Sequence, residues 1–180
     1  MRGRSRSSLL HGIVIGSTPQ GEADNLITFY TKEKGRLSAI GKGARKIASK
    51  KRGALQVFNQ VSFEYIDTGG LGLVTEAKLI RSFQNIQLDL KKLSLAFFFC
   101  EVTRKITPEH VPQPEIYALL VSAMMTLEKE SKLRMVKNTF IRKILDYTGF
   151  SSEEMVDPMK HLQDVLERDL GSVRIGRMIQ

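Results

Sequence analysis

The hydrophobic period of this chain changes once, near Arg81, from a two-residue alternation to a helical repeat, so two kinds of structure must follow one another. Before the change, Leu10 to Ile15 carries the β-branched trio Ile13-Val14-Ile15, Leu26 to Thr31 is apolar and aromatic, and Arg36 to Ile40 sets Leu37 and Ala39 against Ser38. Leu55 and Val57 continue into Val61, Phe63 and Tyr65 on one face, with Ser62 and Glu64 on the other. Asp67-Thr-Gly-Gly70 makes a turn, and Leu71 to Ile80 alternates again through Leu71, Leu73, Thr75, Ala77 and Leu79. Five short strands with glycine-rich turns suit a small closed barrel, either an oligonucleotide-binding (OB) fold or an SH3-like one, and strand count does not separate the two.

After Arg81 the spacing predicts helices. Leu88 to Ile106 is apolar almost all round at Leu95 to Cys100, which places it at the centre of the second half. Pro108, Pro112 and Pro114 make the next stretch a connection, because proline lacks a backbone donor and keeps the residue before it out of a helix. Ile116, Leu119, Leu120, Ala123, Met124 and Leu127 form one stripe, and Leu133, Val136, Phe140, Ile144 and Leu145 another that ends at Gly149. Pro158 to Leu170 is a weaker helix closed by Gly171, and Val173 to Gln180 a short basic one with Arg174 and Arg177 outward. The expected architecture is a multidomain α+β chain. Residues 1–8 form a flexible basic arm, 9–82 a five-stranded barrel and 83–180 an all-α domain.

Charge then separates the halves. Residues 1–80 hold 13 Lys and Arg against 6 Asp and Glu, and residues 81–180 hold 15 against 13, so most of the net +9 belongs to the strand half. Its centre is Lys42, Arg45, Lys46, Lys50, Lys51 and Arg52, with no acid between Glu33 and Glu64 and glycines at 41, 43 and 53 around it. A basic connection between strands, without interleaved acids, is built to meet phosphate. The rings available to stack on bases are Phe29, Tyr30, Phe58, Phe63 and Tyr65, although a small barrel needs most such rings for its interior.

Catalysis finds little support. Gly16-Ser-Thr-Pro-Gln-Gly21 has the glycine spacing of a phosphate loop, but Glu22-Ala23 stand where lysine and a hydroxyl would be needed. Glu22 with Asp24, or Glu153 with Glu154, could hold magnesium as nuclease carboxylates do, yet neighbouring surface acids are more often caps or turn residues. Cys100 sits in the most apolar helix and reads as core, and one cysteine with three scattered histidines excludes a multi-cysteine zinc site. No enzyme, metal or cofactor is expected. The longest apolar run, Leu95 to Cys100, is too short to span a bilayer and no signal-peptide pattern opens the chain, so the expectation is a soluble, cytoplasmic protein.

Gly21-Glu-Ala-Asp24, Leu26 to Thr31, Glu33 to Leu37, Lys42 to Lys46, Ser49, Gly53 to Phe58, Gly70-Leu71 and Thr75-Glu-Ala77, in this order and spacing, resemble the amino-terminal domain of the bacterial DNA repair family RecO. The resemblance continues more weakly to Tyr147-Thr-Gly-Phe150. It implies an OB fold followed by a helical domain, in a non-enzymatic recombination mediator associated with the nucleoid. That mediator binds single- and double-stranded DNA, anneals complementary strands, and works with RecR to load RecA on DNA coated by single-strand binding protein (SSB). It places the DNA-binding region on Lys42, Arg45, Lys46, Lys50, Lys51 and Arg52, with Lys32, Lys34 and Arg36 on the neighbouring hairpin, and lets the helical half receive the acidic, hydrophobic C-terminal tail of SSB. Many relatives carry a four-cysteine zinc module after the position of Phe150. This chain has Cys100 alone, and Leu166 to Arg174 resembles the family's final helix, so it reads as a compact member with an internal deletion. The alternative from the residues themselves is an RNA- or ribosome-associated OB protein, because phosphate contacts do not tell RNA from DNA.

Overall fold

A computed structural model describes residues 7–46, 49, 51–152 and 155–167. Five strands, β1 (Ser7–Gln20), β2 (Asp24–Thr31), β3 (Gly35–Gly41), β4 (Gln60–Ile66) and β5 (Gly72–Arg81), close into a barrel in the order β1-β2-β3-β5-β4. Neighbours pair antiparallel except β3 and β5, which run parallel through Ala39 opposite Gly72 and Ile40 opposite Leu73. This is the OB-fold connectivity, which settles the choice between barrels. β1 serves two partners: Ser7 to Ile13 face β4 and Gly12 to Gln20 face β2. A register shift between Val14 and Gly16 bends the strand from one partner to the other, as bulges do at barrel corners. Ser7 and Ser8 are already paired, with Ile66 and Tyr65, so the strand starts inside the stretch expected to be an arm.

The barrel core holds Leu10, Val14, Ile27, Phe29, Leu37, Ala39, Val61, Phe63, Tyr65 and Val74, with Phe29 and Phe63 stacked at 4.1 Å between ring centres. The strand periods of β3 and β4 match the sequence pattern, but β5 does not follow it. Its buried residues are Gly72 and Val74 and Leu71 is exposed, because a register shift between Phe63 and Tyr65 changes the phase of the β4–β5 pairing; Leu79, opposite Val61, is exposed as well. Gly72 is required there, since a Cβ would enter the Tyr65 ring.

The fourth strand also starts later than its apolar residues suggest. Leu55 and Val57 belong to the connection from β3 to β4, which contains the short helix α1 (Lys51–Ala54). Phe58 has φ of 75°, and β4 begins at Gln60. The chain divides into two compact units, and the first includes 109–117 as well as the barrel. Within that unit the His110 N–H donates to the Arg36 carbonyl at 2.9 Å, Arg36 Nη1 to Glu109 Oε1 at 2.8 Å, and Gln60 Nε2 to the Tyr117 hydroxyl at 3.0 Å. The proline-rich connection is therefore a strap on the barrel.

The second unit is helical: α2 (Gln84–Gln87), α3 (Leu90–Ile106), most of α4 (Pro114–Lys129), α5 (Leu133–Thr148) and α6 (Pro158–Glu167). Asp89 caps α3 by accepting from the N–H groups of Lys91 and Lys92, and Gly149 ends α5 at φ of 76°, where a left-handed residue is needed. As expected, α3 is central: Leu95, Ala96, Phe98, Phe99 and Cys100 are buried, and Phe99 packs on Phe140 of α5 at 4.2 Å. The helix and cap expected at 168–180 lie outside the described residues. Lys137 of α5 is also buried, with its ammonium 5.7 Å from the centre of the Phe98 ring. Desolvation holds its pKa below the ordinary lysine value, aided by Arg134 and opposed by Asp157.

Two outcomes follow. Gly35 has φ of 64° and its missing Cβ would run into the Val111 carbonyl, so Gly35→Ala should cost about 2–4 kcal/mol from backbone strain and loss of the strap's close approach, read in urea unfolding. For Lys137 the unfolded state binds the proton more tightly, so folding is penalised below the folded pKa and recovers as pH rises towards 10.5. The melting temperature of the wild type should therefore gain on that of Lys137→Met between pH 8 and pH 10; a constant gap would remove this account of the buried ammonium.

Candidate nucleic-acid interface

The connection after β3 is core and surface at once. Ala44, Ala54 and Leu55 are buried and join the barrel cluster, so the segment closes one end of the barrel instead of standing away from it. Backbone contacts hold its first turn. Gly43, at φ of 64°, donates its N–H to Asp24 Oδ1 at 2.8 Å, and Arg45 donates its own N–H to the Ala23 carbonyl at 3.0 Å. At the far end, Asn59 is 3% exposed and its Nδ2 donates to the carbonyls of Gly53 and Ala54, which finishes α1. With the small residues turned in, the long basic side chains point out.

Lys42, Arg45, Lys46 and Arg52 are exposed. The Arg45 guanidinium donates to the Gly21 carbonyl at 3.0 Å, which ties the loop to the β1–β2 turn. Lys51 is half-buried, its ammonium donating to the Val74 carbonyl at 3.2 Å. Lys50 lies outside the described residues. Acids nearby are Glu22, exposed in the β1–β2 turn, and Asp24, whose carboxylate is engaged by Gly43. The connection itself holds five described cations and no acid, which makes it positive. Glu22 and Asp24 thus belong to a turn, and among the described residues no three His, Cys, Asp or Glu side chains converge as a metal would require. Glu153 and Glu154 are outside the described residues.

Lys32, Lys34 and Arg36 sit at the other end of β3, about 20 Å away at the rise of an extended strand. The hairpin turn is set by Thr31, whose hydroxyl accepts from the Lys34 N–H and donates to the Gly35 carbonyl. Lys32 is exposed, Lys34 reaches to 5.9 Å from the centre of the Tyr65 ring, and Arg36 is paired with Glu109. Glu33, between the two lysines, binds His11 through its backbone N–H at 2.9 Å and its ring at 2.7 Å. Two acids among three cations make this the weaker phosphate site. Glu109, which takes up the Arg36 charge, lies 73 residues away and carries no motif, so only the folded strap reveals it.

All five candidate rings are interior. Phe29, Tyr30 and Phe63 are fully buried, and Tyr65 and Phe58 nearly so. Burial with Glu115 nearby pushes the Tyr30 phenol up to about 12. Exposing one such ring forfeits roughly 1.5–3 kcal/mol of burial, about what one stacked base returns, so no gain is left for stacking on these residues. This end of the molecule is equipped to hold a backbone by charge.

Two family models match the chain in succession: "Recombination protein O N terminal" over residues 7–83 and "Recombination protein O C terminal" over residues 87–154. Relatives named DNA repair protein RecO include one from Desulfatibacillum aliphaticivorans, 33% identical over 143 residues covering 77% of this chain and 55% of its own. One from Listeria monocytogenes serotype 4b is 29% identical over 138 residues, 77% of this chain and 54% of its own. A third, from Myxococcus xanthus, is 33% identical over 117 residues, 64% of this chain and 48% of its own. The chain thus spans about half the length of the curated relatives it matches. With the barrel under one model and the helices under the next, the chain belongs to the RecO family.

Proposed function

We propose that this chain is a recombination mediator that holds DNA strands by their phosphates on the closed end of its barrel and brings complementary strands together, making and breaking no covalent bond. The observation that carries the reading is the β3–β4 connection, whose apolar residues plug the barrel while Lys42, Arg45, Lys46 and Arg52 face solvent beside the half-buried Lys51. Each such cation that meets a phosphate releases condensed counterions, so affinity is salt-dependent and largely blind to sequence. Annealing follows because two strands repel each other until their charge is neutralised. Family membership supports the rest of the role: binding of both single- and double-stranded DNA, work with RecR and with the C-terminal tail of SSB, loading of RecA, and action at the nucleoid. Among the described residues no helix is long and apolar enough to cross a membrane.

The reading is tested with Lys42→Ala, Lys46→Ala and Arg52→Ala combined. Single-stranded DNA affinity should fall, and the slope of log K against log salt should shrink by about 2, at roughly 0.7 for each phosphate left without its cation. Annealing of complementary oligonucleotides, with and without SSB, should slow in parallel. Unchanged affinity and slope would move the site elsewhere, and a strong preference for matched RNA would point to a different polyanion. Asp24→Ala separates scaffold from site. Losing the acceptor for the Gly43 N–H should cost about 1 kcal/mol, or roughly 4–8 °C of melting temperature in a domain this small, without weakening DNA binding.

A further inference from the structure

We infer that the bases of a single strand pack on a row of aliphatic side chains outside the barrel, Leu26, Ile40 and Leu73, while the cations beside the row hold the phosphates. The inference rests on the DNA-binding reading above and adds to it what tells a single strand from a duplex. Strand register fixes the row. Leu26 of β2 lies opposite Ile40 of β3, Ile40 opposite Leu73 of β5, and Leu73 opposite Ile66 of β4. Their chain neighbours Ile27, Ala39, Gly72, Val74 and Tyr65 are the buried ones, so alternation turns these four outward. They are half-buried and stand outside the barrel's core cluster. Single aliphatic residues on a surface are ordinary, but these cross neighbouring strands in direct register, and Leu71, two residues before Leu73, is 45% exposed.

Cations line one side of the row. Lys42 follows Ile40 by two residues, the Arg45 N–H donates to the Ala23 carbonyl three residues before Leu26, and the Lys51 ammonium donates to the Val74 carbonyl next to Leu73. All three lie towards the same end of the strands, because Asn25 pairs with Gly41 and β3 runs parallel to β5. On the other side Thr28 and Ser38 are opposite each other with hydroxyl oxygens 3.2 Å apart, and a hydroxyl both donates and accepts. A nucleotide is met by this order of groups: charge for the phosphate, apolar surface for the face of the base, hydroxyls for its edge, with no demand on which base it is. The pattern stops at β4, where Glu64, which accepts from the Thr75 hydroxyl at 3.3 Å, stands in place of a further cation beside Ile66. At about 4.8 Å per strand the row spans about 14 Å, the length of roughly four stacked nucleotides at 3.4 Å each.

Two other occupants fit less well. An extended segment of a partner protein needs a free sheet edge, and each strand of the row is paired on both sides there, Leu26 also with Thr18 and Ile66 also with Ser7. A duplex keeps its base faces stacked inside and meets only the cations.

The experiment compares the full chain as wild type, the combined variant Leu26→Thr, Ile40→Thr and Leu73→Thr, the aliphatic control Leu26→Ile, Ile40→Leu and Leu73→Ile, and the barrel variant above. Fluorescent oligo(dT), an abasic strand of the same length and a duplex serve as probes over a salt series, with thermal melting to confirm that each variant folds. The threonine variant should lose at least about fivefold in oligo(dT) affinity with its slope of log K against log salt unchanged, because no phosphate has lost its cation. It should bind the abasic strand and the duplex as wild type does, and the aliphatic control should keep oligo(dT). If the threonine variant binds oligo(dT) as wild type does while the barrel variant is weakened, the row is wrong and the cationic site stands. An equal loss on the duplex, or a smaller slope, would show that the loop had been displaced and would overturn the inference. Absence of DNA binding by the wild type would overturn both readings.

Discussion

The barrel closes through a short parallel pairing between β3 and β5, Ala39 with Gly72 and Ile40 with Leu73, and the rest of the first unit depends on it. Parallel neighbours cannot be joined by a hairpin, so the chain must leave β3, cross the mouth of the barrel and enter β4 before it returns as β5. That crossing is the 42–59 segment. Its length is imposed by topology, its small apolar residues by the need to seal the barrel end, and its cations are left with solvent as their direction. Gly72 belongs to the same constraint, because the closing position leaves room for the Tyr65 ring and for no side chain of its own. The cationic surface is thus a by-product of closure.

Charge alone would have ranked the β2–β3 hairpin with this segment. The fold separates them. On the hairpin side Glu33 and Glu109 approach the cations, and Arg36 both pairs with Glu109 and receives the strap through its carbonyl. An arginine that holds a strap in place gives little to a phosphate, since releasing it would leave Glu109 unpaired and free the segment behind it. On the barrel-end side the nearby carboxylate, Asp24, is engaged by a backbone N–H, which presents the loop without pairing off any of its cations.

The five strands, the helices after them and the basic connection were legible in the sequence because their signals are local. Alternation marked Leu37 and Ala39 or Phe63 and Tyr65, a helical stripe marked α4 and α5, and an acid-free run marked Lys42 to Arg52. What was not legible depends on register or on distant partners. Leu71 lies on an alternating pattern and is exposed while Val74 is buried, because the shift between Phe63 and Tyr65 is set by two strands together. Leu55 looks like the start of a strand, and it is apolar because it plugs the barrel. That a small barrel needs most of its rings for the interior was legible; that it takes all five was not, and closure decided that.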